Sequence, residues 1–297
     1  MTFAPSFTYS GEHVLDLWAF WYLFGFIIGN CEEPPIKSAR RTGFVSNTSF
    51  LPLGDEKTRF VQGMFDDIAN RYDLLNSFIS LGLDTYWRRR TLDMLLGTLE
   101  KMDVVLDLAC GTGDFMKTLS AKNIKTVGVD LSLAMMQNAK LDTGNLIQAR
   151  GELLPIKDES ISAVVSGFAL RNFTEPELVL REVFRILIPG GRIALLDVGQ
   201  PGSALISFAN NIWFKHAVPL IGKILSDKNA YDYLPRSVAY LPSKQDFQQL
   251  AAKVGFSQIT HREISGGLVQ VFLASKSRTK NYPKARVAIN VEKEQTQ

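Results

Sequence analysis

Short apolar runs and amphipathic segments alternate through the middle of the chain. Runs rich in apolar and β-branched residues predict strands at 103–109, 125–130, 146–149, 161–166, 193–198, 257–264 and 268–274. Apolar positions at helical spacing predict helices at 57–79, 84–99, 113–121, 132–140, 175–187, 203–225 and 243–254. Strands that alternate with helices form a parallel sheet covered on both faces, so we expect a doubly wound, mostly parallel, seven-stranded α/β sheet. Gly266 and Gly267 predict a hairpin turn that makes the carboxyl-terminal edge antiparallel.

The two ends of the chain differ in composition from its middle. We predict an apolar amino-terminal segment and linker at 1–54, one α/β domain at 55–275 and a disordered polar tail at 276–297. The run VLDLWAFWYLFGFII at 14–28 is shorter than the roughly 20 residues that cross a bilayer. Three interpretations stay open for it: an interfacial membrane anchor, a short tilted span, or an extension without a native role.

Composition narrows the classes of function. The formal net charge of +3 is too small to indicate a nucleic-acid surface, and we interpret the run Arg88, Arg89 and Arg90 as a solvated helix face. Only two cysteines, Cys31 and Cys110, are present, which favours a reducing cytoplasm. His, Cys and Asp nowhere cluster at metal-ligand spacing, so we predict no metal site.

Small residues follow the first predicted strand, where a parallel sheet binds ligands. Gly111 and Gly113 would let the backbone turn sharply and approach a ligand closely. Asp130 ends the second predicted strand, where its carboxylate can accept both hydroxyl groups of a ribose. The alternative interpretation is a tight turn followed by an Asp that caps the next helix. The combination predicts a nucleoside site.

A nicotinamide dinucleotide fits this turn poorly. The dinucleotide fingerprint requires a third glycine, whereas Gly113 is followed by Asp114, Phe115 and Met116. The acidic Asp114 would also face a pyrophosphate. A nucleoside that carries an amino-acid sulfonium fits better, with Asp107 or Asp114 near its cationic end.

At this point the sequence resembles a known family. The segments LDLACGTGD at 106–114 and DLSLAM at 130–135 resemble the first two motifs of class I methyltransferases, which have a Rossmann-like fold and use S-adenosylmethionine. Over residues 60–275 the chain is similar to the ubiquinone/menaquinone C-methyltransferase family, which includes the demethylmenaquinone methyltransferases. The most diagnostic segments are RYDLLN at 71–76, which belongs to amino-terminal lid helices, and FALRN at 168–172.

The resemblance implies cofactor contacts at Thr112, Asp130, the Arg150–Gly151 pair and Gly167. Two of these positions depart from the pattern. Arg150 and Gly151 stand where the family commonly has Asn or Asp followed by Ala, near the adenine, and Gly167 replaces a common Ser. Backbone contacts would survive both changes, whereas side-chain contacts would not.

The resemblance also implies a reaction, transfer of a methyl group to a ring carbon of a prenylated quinol, most simply demethylmenaquinol to menaquinol. Ionising a phenol near pKa ~10 makes the ortho carbon nucleophilic. We expect Arg171 to stabilise the phenolate, Asp73 or a water to take the proton, and Tyr72 and Asn76 to orient the ring. The alternatives are an Arg171–Glu175 ion pair and an interhelix hydrogen bond of Tyr72 and Asp73 that seals the lid.

Several expectations about partners follow. The segment at 204–225, with Phe208, Trp213 and Phe214, is a candidate wall for the prenyl tail. We expect a cytoplasmic enzyme, with a peripheral contact to the inner face of the membrane and a homo-oligomer both left open, and no nucleic-acid partner. Two rival functions stay open: a methyltransferase for another small or lipid substrate, and a non-catalytic scaffold for quinone synthesis.

Overall fold

The computed structural model describes residues 53–97, 104–139, 145–199, 233 and 236–278. The apolar run at 14–28, the predicted helix at 203–225 with its candidate channel aromatics, and nearly all of the predicted tail lie outside these described residues. The division into 1–54, 55–275 and 276–297 therefore stays a prediction. No helix in the described ranges has the length and apolar character needed to span a membrane.

Seven strands of the described residues form one sheet, in the order β3-β2-β1-β4-β5-β7-β6. They are β1 (Val105–Leu108), β2 (Thr126–Asp130), β3 (Leu146–Gln148), β4 (Ile161–Gly167), β5 (Leu187–Val198), β6 (Phe256–Ile264) and β7 (Val269–Lys276). Strands β1 to β5 pair in parallel. Strand β7 runs antiparallel to β5 and to β6. The predicted sheet with its antiparallel carboxyl-terminal hairpin is thereby confirmed.

Helices connect the strands and precede the sheet. They are α1 (Gly54–Ile68), α2 (Tyr72–Ile79), α3 (Asp84–Leu96), α4 (Asp114–Ser120), α5 (Leu133–Gln137), α6 (Pro176–Ile186) and α7 (Lys244–Val254). Short 3₁₀ helices occupy Ala69–Arg71, Leu170–Asn172, Val238–Tyr240 and Ser265–Gly267. The last of these is the turn predicted at Gly266 and Gly267.

The central strands are apolar because both faces of the sheet are covered. All four residues of β1 are buried, and strand alternation sends Leu106 and Leu108 into one core cluster and Val105 into the other. The second cluster includes Trp87 of α3 and Phe115 of α4. Asp107 shares the face of Val105, so a carboxylate enters the side of the sheet that α3 and α4 cover.

Two segments differ from the sequence prediction. The helix predicted at 57–79 breaks at Ala69–Arg71, where Arg71 leaves helical geometry with φ −120° and ψ −1°. Strand β5 begins at Leu187, earlier than predicted, because the ladder to β4 accommodates an irregularity between Leu187 and Arg192. Gly190 lies in this irregular stretch with φ +83°, a conformation that glycine adopts without strain.

Candidate active site

The turn after β1 brings the backbone against the crevice. Gly111 and Gly113 have φ values of +54° and +80°, and Ala109 has +56°. Phe168, just after β4, also adopts a left-handed φ of +61°. Non-glycine residues are strained in this region, and such strain concentrates at binding sites. Both strained residues, Ala109 and Phe168, line the same cavity.

Asp130 connects the ends of β1 and β2. Its Oδ2 accepts a hydrogen bond from the Gly111 amide at 2.7 Å, and its Oδ1 accepts one from the Ser132 amide at 2.8 Å. Burial raises the pKa of Asp130, and the backbone donors oppose that shift. The side chain of Ser132, rather than Asp130, caps α5 by accepting from the Met135 amide at 3.1 Å. With Leu131 as a third backbone donor, the carboxylate still keeps acceptor capacity for a ligand hydroxyl.

A cavity of about 810 Å³, its open mouth included, lies at the carboxyl ends of β1, β2 and β4. This is the size of a ligand pocket. Among the candidate cofactor residues, its wall contains Gly111, Asp130, Arg150, Gly151 and Gly167. Three further candidates, Asp107, Thr112 and Gly113, stand outside that described wall.

The two positions that depart from the family pattern have clear surroundings. Arg150 is exposed, and it forms ion pairs with Asp55 of α1 at 3.3 Å and with Glu152 at 3.5 Å. A Cβ added to Gly151 would stand 3.3 Å from Val179. A Cβ added to Gly167 would stand 2.7 Å from Nη1 of Arg88 and 2.8 Å from the Phe115 ring. The lack of a side chain at Gly167 therefore leaves room for the buried Arg88 guanidinium.

Helix α1 crosses the cavity and binds the loops that surround it. The Lys57 ammonium donates to the carbonyl oxygens of Arg171 at 3.0 Å and Phe173 at 2.8 Å. Further along, Gln62 donates to the Leu131 carbonyl at 3.4 Å, and Ser132 donates to Asp66 at 2.5 Å. Desolvation lowers the pKa of Lys57 to about 8. Together with the Asp55–Arg150 pair, these contacts make α1 a lid.

Helix α2 continues the lid and carries three of the candidate catalytic residues. Tyr72 lines the cavity, and burial raises its pKa. Asp73 accepts a hydrogen bond from Thr112 at 2.6 Å, which ties α2 to the glycine turn. Asn76 donates to Asp84 at 3.3 Å. Tyr72 is thus in the wall, whereas Asp73 and Asn76 are engaged with neighbouring side chains.

Arg171 is buried rather than free at the crevice edge. Its guanidinium forms an ion pair with Asp197 of β5, and its Nε donates to Ser237 at 3.1 Å. The backbone amide of Arg171 also donates to Asp197 at 3.2 Å. The partner is therefore Asp197, not Glu175 as the alternative interpretation proposed. The catalytic roles of Arg171, Tyr72, Asp73 and Asn76 stay predictions.

Sequence reasoning expected the helices at 60–90 to cover the substrate, but it did not identify the individual residues of α1 and of the FALRN segment that line the cavity. Thr58, Val61, Gln62 and Phe65 all line the cavity, and their helical spacing places them on one face of α1. This spacing could have been used to predict them, because a helix face that carries both polar and apolar residues is typical of a helix that lines a ligand cavity. Phe168, Ala169, Asn172, Phe173 and Thr174 form the opposite wall.

Arg88 also departs from its sequence interpretation as part of a solvated run. Only Arg89 and Arg90 are exposed, whereas the Arg88 guanidinium is buried and lies 3.5 Å from the Asp114 carboxylate. Burial of Asp107 on the same side of the sheet raises its pKa to about 8, which Arg88 opposes. Of these charged groups, the Arg88 guanidinium lies directly behind the cavity wall at Gly167.

Comparison with known proteins gives consistent matches. The model of the ubiE/COQ5 methyltransferase family matches residues 53–276. The chain is 36% identical over 222 residues to the ubiquinone/menaquinone biosynthesis C-methyltransferase UbiE of Syntrophotalea carbinolica, covering 72% of this chain and 93% of that protein. It is 35% identical over 237 residues to the demethylmenaquinone methyltransferase of Roseiflexus castenholzii, covering 77% of this chain and 99% of that protein.

Solved structures share the fold at lower identity. An S-adenosylmethionine-dependent methyltransferase from Thermotoga maritima superposes with a TM-score of 0.54 at 19% identity, covering 73% of this chain and 99% of that chain. A putative methyltransferase in a complex from Haloferax volcanii gives a TM-score of 0.52 at 18% identity, covering 75% and 100%. At these identities the likeness supports the fold alone.

Proposed function

The chain belongs to the ubiE/COQ5 methyltransferase family, and from that premise we propose that it methylates a ring carbon of a prenylated quinol, converting demethylmenaquinol to menaquinol. Family membership confirms the resemblance based on RYDLLN and FALRN and the use of S-adenosylmethionine as methyl donor. The choice of substrate rests on the names of the two relatives and on the cavity. The observation that carries it is the aromatic, lid-covered cavity that begins at Asp130.

The residues present fit an adenosyl sulfonium. Asp130 faces the cavity with acceptor capacity for ribose hydroxyls, and Gly111 leaves no side chain between the turn and the ligand. A Cβ added at Gly111 would stand 3.1 Å from the Met135 side chain, and any other residue at this position would be strained by the φ of +54°. Arg150 and Gly151 supply the wall near the adenine. When bound, the sulfonium supplies an electrophilic methyl group.

The chain has to make an aromatic carbon nucleophilic and accept one proton per turnover. A quinol hydroxyl near Tyr72 would lose its proton most readily beside an oriented cation, because a cation stabilises the phenolate. Our candidate for that cation is Arg171, which is not part of the described cavity wall but is followed by Asn172, which is. Its contacts with Asp197 and Ser237 fix its orientation. The Arg171–Asp197 pair has no net charge, so the oriented guanidinium dipole, rather than a net positive charge, would stabilise the phenolate.

Asp73 is our candidate proton acceptor. Thr112 donates to one of its carboxylate oxygens, which fixes the side chain beside Tyr72 and the glycine turn. Asn76 then acts at a distance, since its amide donates to Asp84 and so stabilises the junction of α2 and α3. The lid is held in place by the contacts of Lys57, Gln62 and Asp66. A lid held in this way excludes water from the reacting phenolate.

A prenylated substrate resides in a membrane, so we extend the proposal to a peripheral membrane contact. The outer face of α2 exposes Leu74 and Phe78, which are four residues apart and lie on one side of the helix. Leu81 follows them and is also exposed. An apolar lid surface of this kind can enter the interface between headgroups and acyl chains.

Methyl transfer to a defined quinol tests the proposed function. Purified full-length protein, supplied with labelled S-adenosylmethionine and demethylmenaquinol in detergent, should place one labelled methyl group on the quinol ring, located by mass spectrometry. Asp130→Ala should abolish the transfer by removing the ribose acceptor. Transfer to an unrelated acceptor, with no label in the quinol, would refute the substrate assignment. No transfer to any acceptor would favour the rival function, a non-catalytic scaffold for quinone synthesis.

A further inference from the structure

Lys57 of α1 is a buried cation. The residue is only 4% exposed, and desolvation lowers its pKa to about 8, although Glu152 and Glu175 oppose that shift. Burial of an ammonium costs free energy, whereas the neighbouring buried positions of α1, Val61 and Met64, are apolar. An apolar residue at position 57 would close the lid at a lower cost, so the charge serves something besides packing.

The Lys57 ammonium contacts the segment that carries the candidate cation of the reaction. It donates to the carbonyl oxygens of Arg171 at 3.0 Å and of Phe173 at 2.8 Å, which are the residues on both sides of Asn172. It also lies 3.8 Å from the centroid of the Tyr240 ring. Hydrogen bonds from a charged donor are about twice as strong as neutral ones, and this cation makes two of them. The position of α1 and the backbone of this segment are therefore linked.

The backbone of the segment determines where Arg171 points. The backbone amide and the guanidinium of Arg171 both bind Asp197, the amide at 3.2 Å. The neighbouring Asn172 lines the cavity and accepts a hydrogen bond from the Tyr233 hydroxyl at 3.0 Å. Both residues belong to one short 3₁₀ helix, so a rotated peptide group changes the direction of both side chains. A displaced Arg171 carbonyl would thus alter the candidate cation and the cavity wall together.

The two halves of α1 contact different parts of the site. The exposed ion pair at its start aside, the first half bonds to the FALRN segment and its continuation, through Lys57 and through the 2.7 Å hydrogen bond between Thr58 and Thr174. Gln62 and Asp66, in the second half, bond to the turn that follows β2. Loss of a contact in one half should therefore differ in its effect from loss of a contact in the other.

We propose that Lys57 is a positioning residue for methyl transfer: its ammonium, brought in by α1, fixes the peptide groups that set the direction of the Arg171 guanidinium. This inference rests on the proposed function, because Arg171 is a candidate cation for the phenolate of that reaction. Closure of the lid then completes the catalytic arrangement, in addition to excluding water. A lid that only covered the cavity would work equally well with an apolar residue at position 57.

Steady-state kinetics of methyl transfer to demethylmenaquinol test this role. Lys57→Met keeps the length of the side chain and removes its charge, so kcat should fall about 10- to 100-fold through the loss of two charge-assisted hydrogen bonds. KM for S-adenosylmethionine should stay within about threefold, because the contacts of α1 with the turn after β2 remain. Asp66→Ala should do the reverse, raising that KM about fivefold and leaving kcat within about twofold. Arg59→Met removes an exposed cation from the same helix and should change neither constant.

Hydrogen exchange gives a second readout that needs no activity. The backbone amides of Asn172 and Phe173 both donate to the Ala169 carbonyl. Their exchange should accelerate in Lys57→Met and stay unchanged in Arg59→Met, because only Lys57 holds the adjoining carbonyl groups. Lys57→Gln, which keeps a neutral donor, should give an intermediate kcat. It replaces Lys57→Met in both experiments if that variant does not fold.

The outcomes separate this inference from the proposed function. An unchanged kcat in Lys57→Met, or a loss of kcat that Asp66→Ala reproduces in full, would overturn the inference and reduce Lys57 to a strut of the lid. If the wild-type protein transfers no methyl group to the quinol, the proposed function fails. The exchange of the Asn172 and Phe173 amides then decides alone whether Lys57 orders this segment.

Discussion

At the scale of single residues, Arg171 and Asp197 form a buried ion pair beside the FALRN segment. Asp197 is fully buried and accepts from the guanidinium and from the backbone amides of Arg171 and Val198. Breaking a buried pair leaves an uncompensated charge in a medium of low dielectric constant. The pair is therefore important for stability as well as for orienting Arg171.

We expect Asp197→Ala to lower the free energy of unfolding by about 3–5 kcal/mol, because Arg171 is then buried without its partner. Urea denaturation followed by circular dichroism measures this change. Glu177→Ala is the control, since it removes a partly exposed surface partner of Arg181 and Lys253 and should change stability far less. Similar losses in the two variants would show that burial of the pair has no special cost.

The raised pKa of Asp107 predicts a proton linkage. Near pH 7 a carboxyl with a pKa of about 8 is mostly protonated, because burial and the neighbouring Asp114 and Asp130 outweigh the attraction of Arg88. From the sequence we expect the cationic end of the methyl donor near Asp107. A cation there favours the carboxylate, so binding should release a proton at pH 7. The release should disappear above about pH 9, where the carboxyl is already ionised.

Calorimetry of S-adenosylhomocysteine in two buffers with different ionisation enthalpies measures this release. The binding enthalpies observed in the two buffers should differ by the number of protons released multiplied by the difference in buffer ionisation enthalpy. Asp107→Asn should remove most of that difference. Asp130 also has a raised pKa, so the comparison with Asp107→Asn isolates the share of Asp107. Proton uptake, or an enthalpy independent of buffer, would contradict the predicted linkage.

The sequence predicted the residues whose role is set by local pattern. Gly111 and Asp130 could be found because a glycine turn and a distal acid keep a fixed spacing in a βαβ unit. Arg88 could not be separated from Arg89 and Arg90 by composition. Helical spacing does separate it, since Trp87, Thr91 and Leu92 are buried on the same side of α3. The partner Asp197 lies 26 residues from Arg171, on strand β5, so only the fold could identify it.

At the scale of elements, strand positions were predictable and interruptions were not. Apolar runs predicted β1, β2 and β4 within about two residues at each end, because buried parallel strands read as continuous hydrophobic segments. The break at Ala69–Arg71 has no proline or glycine to announce it. It follows from tertiary contacts, since α1 and α2 bind different loops around the cavity.

Helix α1 should open when its contacts are removed. Asp66→Ala deletes the acceptor of the Ser132 hydroxyl, while the exposed neighbour Asp67→Ala deletes a carboxylate of the same charge from the same helix. Loss of this hydrogen bond should destabilise the closed lid by roughly 1 kcal/mol, about a fivefold change in its opening equilibrium. Hydrogen exchange of Gly54–Ile68 should accelerate by that factor in Asp66→Ala alone. Equal exchange in both variants would refute Ser132 as an anchor of the lid.

At the scale of the whole molecule, the lid has to serve a cavity whose proposed substrate is dissolved in a membrane. Its outer surface exposes large apolar side chains to solvent. Leu74 is 54% exposed and Phe78 is 53% exposed, one helical turn apart on α2. Helix α2 also carries Tyr72 and Asp73, so a membrane contact there would place the lipid phase beside the candidate catalytic side chains.

We therefore expect Leu74→Gln with Phe78→Gln to reduce partition of the full chain onto vesicles of phosphatidylethanolamine and phosphatidylglycerol by about fivefold. Burying half of two large apolar side chains contributes about 1.5–3 kcal/mol, part of which is lost to competing contacts. Leu178→Gln on α6 is the matched control, because Leu178 is 47% exposed and lies on another element.

Co-sedimentation measures the bound fraction, and methyl transfer in detergent checks that the site is intact. A double variant that loses methyl transfer in detergent as well has damaged α2 itself. If the double variant binds vesicles to the same extent as Leu178→Gln, the lid is not the surface that contacts the membrane.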